Sequence, residues 1–193
     1  MKTQSKNTML AMALFFGSMA FQSCEKHDDN HQHTDEGELI TKVEILLIDT
    51  ISKDTLFTLW SDMDGIGGNN PNMPDTLNLK QGKTYVGLTR FYTNHDAISF
   101  HDINQEIKDE GENHLLCFDV NSMTMPPNAG ITITRADKDK NGLEIGLETM
   151  WKMNRTDIGS VKVRLKHQPG IKNGNCDPGE TDVEVDFPFV ITN

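Results

Sequence analysis

From Leu39 onward, apolar residues recur at every second position in short segments separated by clusters of Gly, Pro, Asn and Asp. A repeat of two is the repeat of a β-strand, whose successive side chains point to opposite faces. The clearest case lies at the end of the chain. Val183, Val185, Phe187, Phe189 and Ile191 alternate there with Asp182, Glu184, Asp186 and Pro188, and Pro188 favours an edge position because it has no N–H to give a ladder. An earlier segment alternates Val161, Val163 and Leu165 with Lys162, Arg164 and Lys166. Antiparallel pairing of the two segments would set a basic row against an acidic one. The connection between them, Gln168 to Glu180, holds two prolines and three glycines and is expected to be a loop.

The same alternation predicts strands over 39–48, 55–60, 76–79, 84–92, 114–120, 131–135 and 143–151. A single helix is expected over 103–110, with Asp102 as its N-cap, Gln105 at the capping-box position and Gly111 just beyond its end. About seven to nine strands and one short crossover helix predict an all-β, two-sheet sandwich spanning residues 39–193.

The first 38 residues follow another logic. Lys2 and Lys6 precede an uncharged apolar run of 12 residues, Met9 to Ala20. That length is too short to span a bilayer and fits an export signal over residues 1–23. Phe21-Gln22-Ser23-Cys24 resembles a bacterial lipobox, with Phe21 where Leu is usual, and the resemblance implies that Cys24 becomes the lipidated first residue. A soluble secreted protein cleaved nearby is the alternative. Residues 24–38 lack large apolar side chains and read as an acidic, His-containing tether.

The net charge is −11, and removing residues 1–23 strips two lysines and no acid, so the mature chain carries −13. This balance excludes a nucleic-acid surface, which needs clustered Lys and Arg, and favours cations or basic partners. With Cys24 lipidated, Cys117 and Cys176 remain. They are expected either to form a disulfide between a strand and the long loop or to stay apart as a buried small residue and an exposed thiol.

Candidate chemistry is sparse. Asp137-Lys138-Asp139-Lys140-Asn141-Gly142, with Glu148 farther on, matches the EF-hand letters. Strand alternation on both sides would carry Glu148 roughly 23 Å away, which leaves at most a calcium site at Asp137, Asp139 and Asn141. Asp62-Met63-Asp64-Gly65 reads as turn chemistry. His27, His31 and His33 in the tether suit loose capture of zinc, copper or nickel. In the domain, His114 continues the face of Leu116 and Phe118, and His167 continues the face of Val163 and Leu165. Antiparallel strands would bring both imidazoles to one end of the core, beside Glu112 and the helix residues Glu106 and Glu110. Such a mixed set suits zinc or iron, with calcium the weaker expectation. No nucleophile elbow, HExxH, phosphate-binding glycine loop or Cys-x-x-Cys motif occurs, and the expectation is a non-enzyme.

The run Glu25-Lys26-His27-Asp28-Asp29 is similar to the surface-export signal of lipoproteins from Bacteroidota-type bacteria. Together with Phe21–Cys24, the stretch Asp75 to Tyr85, Leu165 to Gly170 and Gly179 to Asp182, it makes the chain resemble small outer-membrane lipoproteins that accompany TonB-dependent receptors. The resemblance implies an Ig-like or transthyretin-like sandwich, anchored by lipid in the outer membrane at the cell surface or on the periplasmic face. The function expected from it is a metal-binding accessory of an uptake receptor. The alternative is an adhesion or glycan-binding module, for which Trp60, Trp151, Tyr85 and Tyr92 are the candidate platform.

Overall fold

The alternating segments fold into ten strands and one short helix in a computed structural model that describes residues 39–64, 68–94, 99–124 and 130–193. The strands are β1 (Ile40–Asp49), β2 (Thr55–Ser61), β3 (Leu77–Lys80), β4 (Thr84–Thr93), β5 (His101–Asp102), β6 (His114–Ser122), β7 (Ile131–Arg135), β8 (Glu148–Met153), β9 (Asp157–His167) and β10 (Glu180–Thr192), with α1 (Asn104–Asp109) between β5 and β6. They form two sheets. The first has the order β2-β1-β4-β8-β7, with β5 added to β4, and the second has the order β3-β10-β9-β6.

The inward rows of both sheets share one core. Val43, Ile45, Leu47, Phe91 and Trp151 of the first sheet meet Leu116, Val161, Val163, Leu165, Phe187 and Phe189 of the second. Across it, the rings of Phe118 and Trp151 meet edge to face with centroids 6.3 Å apart. Trp151 fits because its neighbouring strand has no side chain at Gly87, where a Cβ would stand 2.7 Å from the indole nitrogen. The indole N–H donates to Thr149 Oγ1 at 2.9 Å, and the Thr149 hydroxyl donates to the Gly87 carbonyl at 3.2 Å. The fold is therefore an all-β sandwich, as the alternation predicts.

The expected 161–191 hairpin forms as β9 and β10. Arg164 stands opposite Glu184 and Lys162 opposite Asp186. The third expected pair does not form, because the register shifts between Thr181 and Val183 and places Lys166 opposite Thr181. The Lys166 ammonium instead donates to Gly179 O and Thr181 Oγ1. Pro188 marks a real boundary, since β3 pairs in parallel with Phe189–Thr192 only.

Three local expectations are corrected. The strand expected from Leu143 begins at Glu148. Gly146 takes a φ of +103°, and the segment before it bends to cover β6, where Leu116 N–H donates to Ile145 O at 2.7 Å. The helix starts one residue later than expected, with Ile103 at the cap and no side-chain cap bond. Asp102 belongs to β5 and accepts from Asn104 N–H at 2.9 Å. Gln105 donates to Asp109 rather than reaching back to the helix start. The helix does carry the chain from the first sheet to the second.

The loop 168–179 closes over the outer face of the second sheet. Cys117 on β6 is bonded to Cys176, with Cα atoms 6.0 Å apart, so the disulfide alternative is the one realised. Fully buried Gln168 donates to Asn175 O and Pro178 O. Lys172 reaches back to Gly111 O at 2.7 Å and to Asp139 Oδ2 at 2.9 Å, with both charged side chains almost wholly buried.

Candidate functional site

His114 opens β6 and His167 closes β9, and because the strands are antiparallel neighbours the two residues are direct cross-strand partners. Their rings stack with centroids 5.1 Å apart and planes 19° from parallel. His114 is 2% exposed. Its Nδ1 lies 3.2 Å from Glu110 O, so a proton on Nδ1 leaves the Nε2 lone pair free. Burial, reinforced by His167 alongside, pushes the His114 imidazole down to about 4, which keeps it neutral over the physiological range.

The row continues onto β10, where Glu180 is the cross-strand partner of His167. Two residues on, at the register shift, Asp182 has a carboxylate oxygen that is buried without a hydrogen-bond partner among the described residues. Burial raises that carboxyl to about 6, while His167 nearby opposes the shift. Beside this row lies a pocket of about 260 Å³ lined by His167, Pro169, Ile171, Gly179 and Glu180. The end of the second sheet thus gathers one neutral buried imidazole, one half-buried imidazole at a pocket and a carboxylate with one oxygen that has no hydrogen-bond partner among the described residues.

The carboxylate expected beside the histidines is engaged elsewhere. Glu112 is ion-paired to Lys140, which holds its carboxyl below the usual range. Glu110 contributes its backbone carbonyl and Glu106 a favourable field at His114. Imidazole lone pairs lie in the ring plane, so two stacked rings point them side by side. Accordingly, no group of three or more His, Cys, Asp or Glu among the described residues is arranged to hold a metal ion. Asp182 carried no motif signal, because its place at the register shift of β10, within reach of the His167 charge, is set by strand pairing.

The calcium expectation at Asp137, Asp139 and Asn141 meets committed carboxylates. Asp137 accepts from Gly146 N–H and Leu147 N–H. Asp139 accepts from Asn141 N–H, Leu143 N–H and the Lys172 ammonium. A buried ammonium thus neutralises Asp139, and the two carboxylates shape the turn. Asp64 likewise accepts from the amide and side chain of Asn69. Cys24, His27, His31 and His33 lie outside the described residues.

The four aromatic residues expected as a platform do not share a surface. Trp151 and Tyr85 are core residues, and Trp60 packs against the core. Tyr92 stands apart, with its hydroxyl donating to Glu44 at 2.9 Å and its ring edge-on to Phe100.

One surface escaped the sequence reading. Cross-strand register places Phe57, Leu46 and Leu88 in one row and Ile48, Val86 and Met150 in the next, on the outward face of the first sheet. The signal was present in the unbroken run Ile45-Leu46-Leu47-Ile48, since a strand with one wet face alternates and a strand covered on both faces does not. The fold and these sites define an all-β sandwich with a histidine-bearing sheet end and an apolar outer face. Comparison with protein-family models, curated proteins and solved structures gives no match to this chain.

Proposed function

We propose that the protein is an exported, lipid-anchored binding lipoprotein of the outer membrane that captures a transition-metal ion as accessory to a TonB-dependent uptake receptor. The observation that carries this reading is the cross-strand pairing of His114 with His167 beside the partnerless Asp182 oxygen. A neutral imidazole is the ligating form, and nitrogen with carboxylate oxygen suits zinc or ferrous iron. Because the rings stack, binding requires the half-buried His167 ring to turn out of the stack, toward Asp182 and the adjoining pocket. The acidic surface concentrates cations before capture, an effect that salt screens. The Cys117–Cys176 disulfide supports export, since such bonds persist in oxidising compartments.

Calorimetric titration with zinc and with ferrous iron tests the proposal. The protein should carry His27, His31 and His33 changed to Gln, so that uptake reports the domain and not the tether. One ion per chain is expected, with affinity lost in His114→Ala/His167→Ala and weakened at least tenfold in Asp182→Asn. Absence of uptake below millimolar metal, or equal binding by the double variant, would make the histidines structural.

A further inference from the structure

One long side of the sandwich is left open. There β6 is the last strand of the second sheet and β7 the last of the first. The two strands share a cleft of about 290 Å³, lined by Phe118, Ile133, Thr134, Arg135 and Glu144. Phe118, Val120 and Ile133 pack against the core but are only partly buried, so the core reaches the surface here. The backbone tells the same story. On β6, Asn113 O accepts from Gln168 N–H and Met123 N–H donates to Ile158 O, so odd-numbered residues bond to β9. Even-numbered residues turn the other way, as Leu116 does in donating to Ile145 O at 2.7 Å and accepting from Arg135 Nε at 2.6 Å. Beyond Leu116 that outward row continues with Phe118 and Val120, which have no partner strand among the described residues. On β7, Ala136 N–H donates to Glu148 O and Gly130 O accepts from Asn154 N–H. Its even-numbered residues therefore bond to β8, and the N–H and C=O of Ile133 face away from that strand.

We infer that this cleft binds an extended polypeptide segment of a partner protein, which adds a strand to β6 and sets apolar side chains between Phe118 and Ile133. The backbone selects this occupant. A row of N–H and C=O groups at strand spacing is complemented in full by a second extended backbone, the recognition mode in which main-chain hydrogen bonds give affinity and pockets for alternate side chains give specificity. Both kinds of pocket are present. Side chains turned inward enter the cleft and cover the exposed margin of the core. Those turned outward lie beside a second pocket of about 680 Å³ on the outer face of β6 and β9, lined in part by Asp119, Asn121 and Arg164. Asp119 and Arg164 are ion-paired there at 2.6 Å, so the outward positions call for polar side chains. The segment is thus one of alternating apolar and polar residues. Because β7 stands across the same cleft, the row is reached by a single strand more readily than by the edge of a second folded sandwich. The cleft lies along β6 beyond the end that carries His114, and the inference does not rest on metal capture.

Amide hydrogen exchange of the purified protein, carrying Cys24→Ser so that no acyl chain contributes, tests the inference together with peptide binding. In the free protein the Phe118 and Val120 amides should exchange at least tenfold faster than that of Leu116. The probe is a set of eight-residue peptides that alternate Thr with Ile, Val, Leu or Phe, with a lysine at each end for solubility. By fluorescence anisotropy, members of the set should bind below millimolar concentration and slow exchange at Phe118 and Val120 at least tenfold. Only one edge of the peptide faces β6. In the tightest binder, N-methylation of the amides on that edge, those of the apolar residues or those of the threonines, should weaken binding at least tenfold, while methylation of the other edge leaves it intact. Ile133→Lys should also weaken binding at least tenfold with the circular dichroism unchanged, and the comparison of methylated peptides needs no altered protein. Slow exchange at Phe118 and Val120 in the free protein, no binding below millimolar peptide, or an equal response to the two methylations would each overturn the proposal. So would a wild-type dimer whose formation protects the same two amides, which would assign the edge to a second copy.

Discussion

At His114 the fold does the most to an individual side chain. Its imidazole is held at about 4 by burial beside His167, below the ordinary value of 6.5. Between those two values the unfolded chain takes up a proton that the folded chain refuses. This contribution to stability is therefore present above pH 6.5 and is lost as pH falls toward 4, by about 3 kcal/mol in full. Asp182 works in the opposite sense. Its carboxyl is raised to about 6, so it weakens the fold above pH 6 and ceases to do so as pH falls toward 4. The His114 effect is cleanest in an Asp182→Asn background. There, chemical denaturation of the metal-free protein should show stability falling from pH 6.5 to 4, and adding His114→Asn should flatten the profile. Gly87 is a second residue whose role follows from packing. A Cβ there would lie 2.5 Å from Thr149 Oγ1 and 2.7 Å from the Trp151 indole nitrogen. Gly87→Ala should cost about 1–3 kcal/mol by overpacking, read as a lower melting temperature with the fold retained.

Among the elements, the strap 168–179 depends on covalent and ionic ties more than on regular structure. The disulfide joins residues 59 apart in sequence, and closing so long a loop restricts the unfolded chain. Cys117→Ala/Cys176→Ala should lower stability by about 2–5 kcal/mol in denaturant titration, and protease cleavage should first appear within 168–179. The two cysteines were legible in the sequence, but their Cα separation was not, because the β6–β9 pairing and the strap together set it. The charged rows of β9 and β10 were legible as alternation, and two of the three expected facing pairs are in register. The third was hidden because a one-residue shift leaves no trace in a pattern of period two. Asp182 sits at that shift, within reach of the His167 charge, whereas Glu112, the carboxylate nearest His114 in sequence, pairs with Lys140.

For the whole molecule, the lipid anchor we propose at Cys24 is open to a direct test. A lone cysteine after a 12-residue apolar run has no evident structural use, so Cys24→Ser should move the protein from the membrane to the soluble fraction and abolish labelling by a fatty-acid probe. Unchanged pelleting with unchanged labelling would refute the lipid anchor. What the sequence by itself determined is the all-β class, the positions of most strands, the crossover helix and the placing of His114 and His167 on inward rows. Alternation with period two and the residues of turns are local properties, written in each segment. Tertiary structure decided which strands are neighbours, and hence that His114 faces His167, that Asp182 lies near His167 while Glu112 pairs with Lys140, that Lys172 neutralises Asp139, and that six apolar side chains from four strands merge into one face. Each of these depends on pairing between segments far apart in the chain. A one-residue change of register there turns a side chain to the opposite side of the sheet.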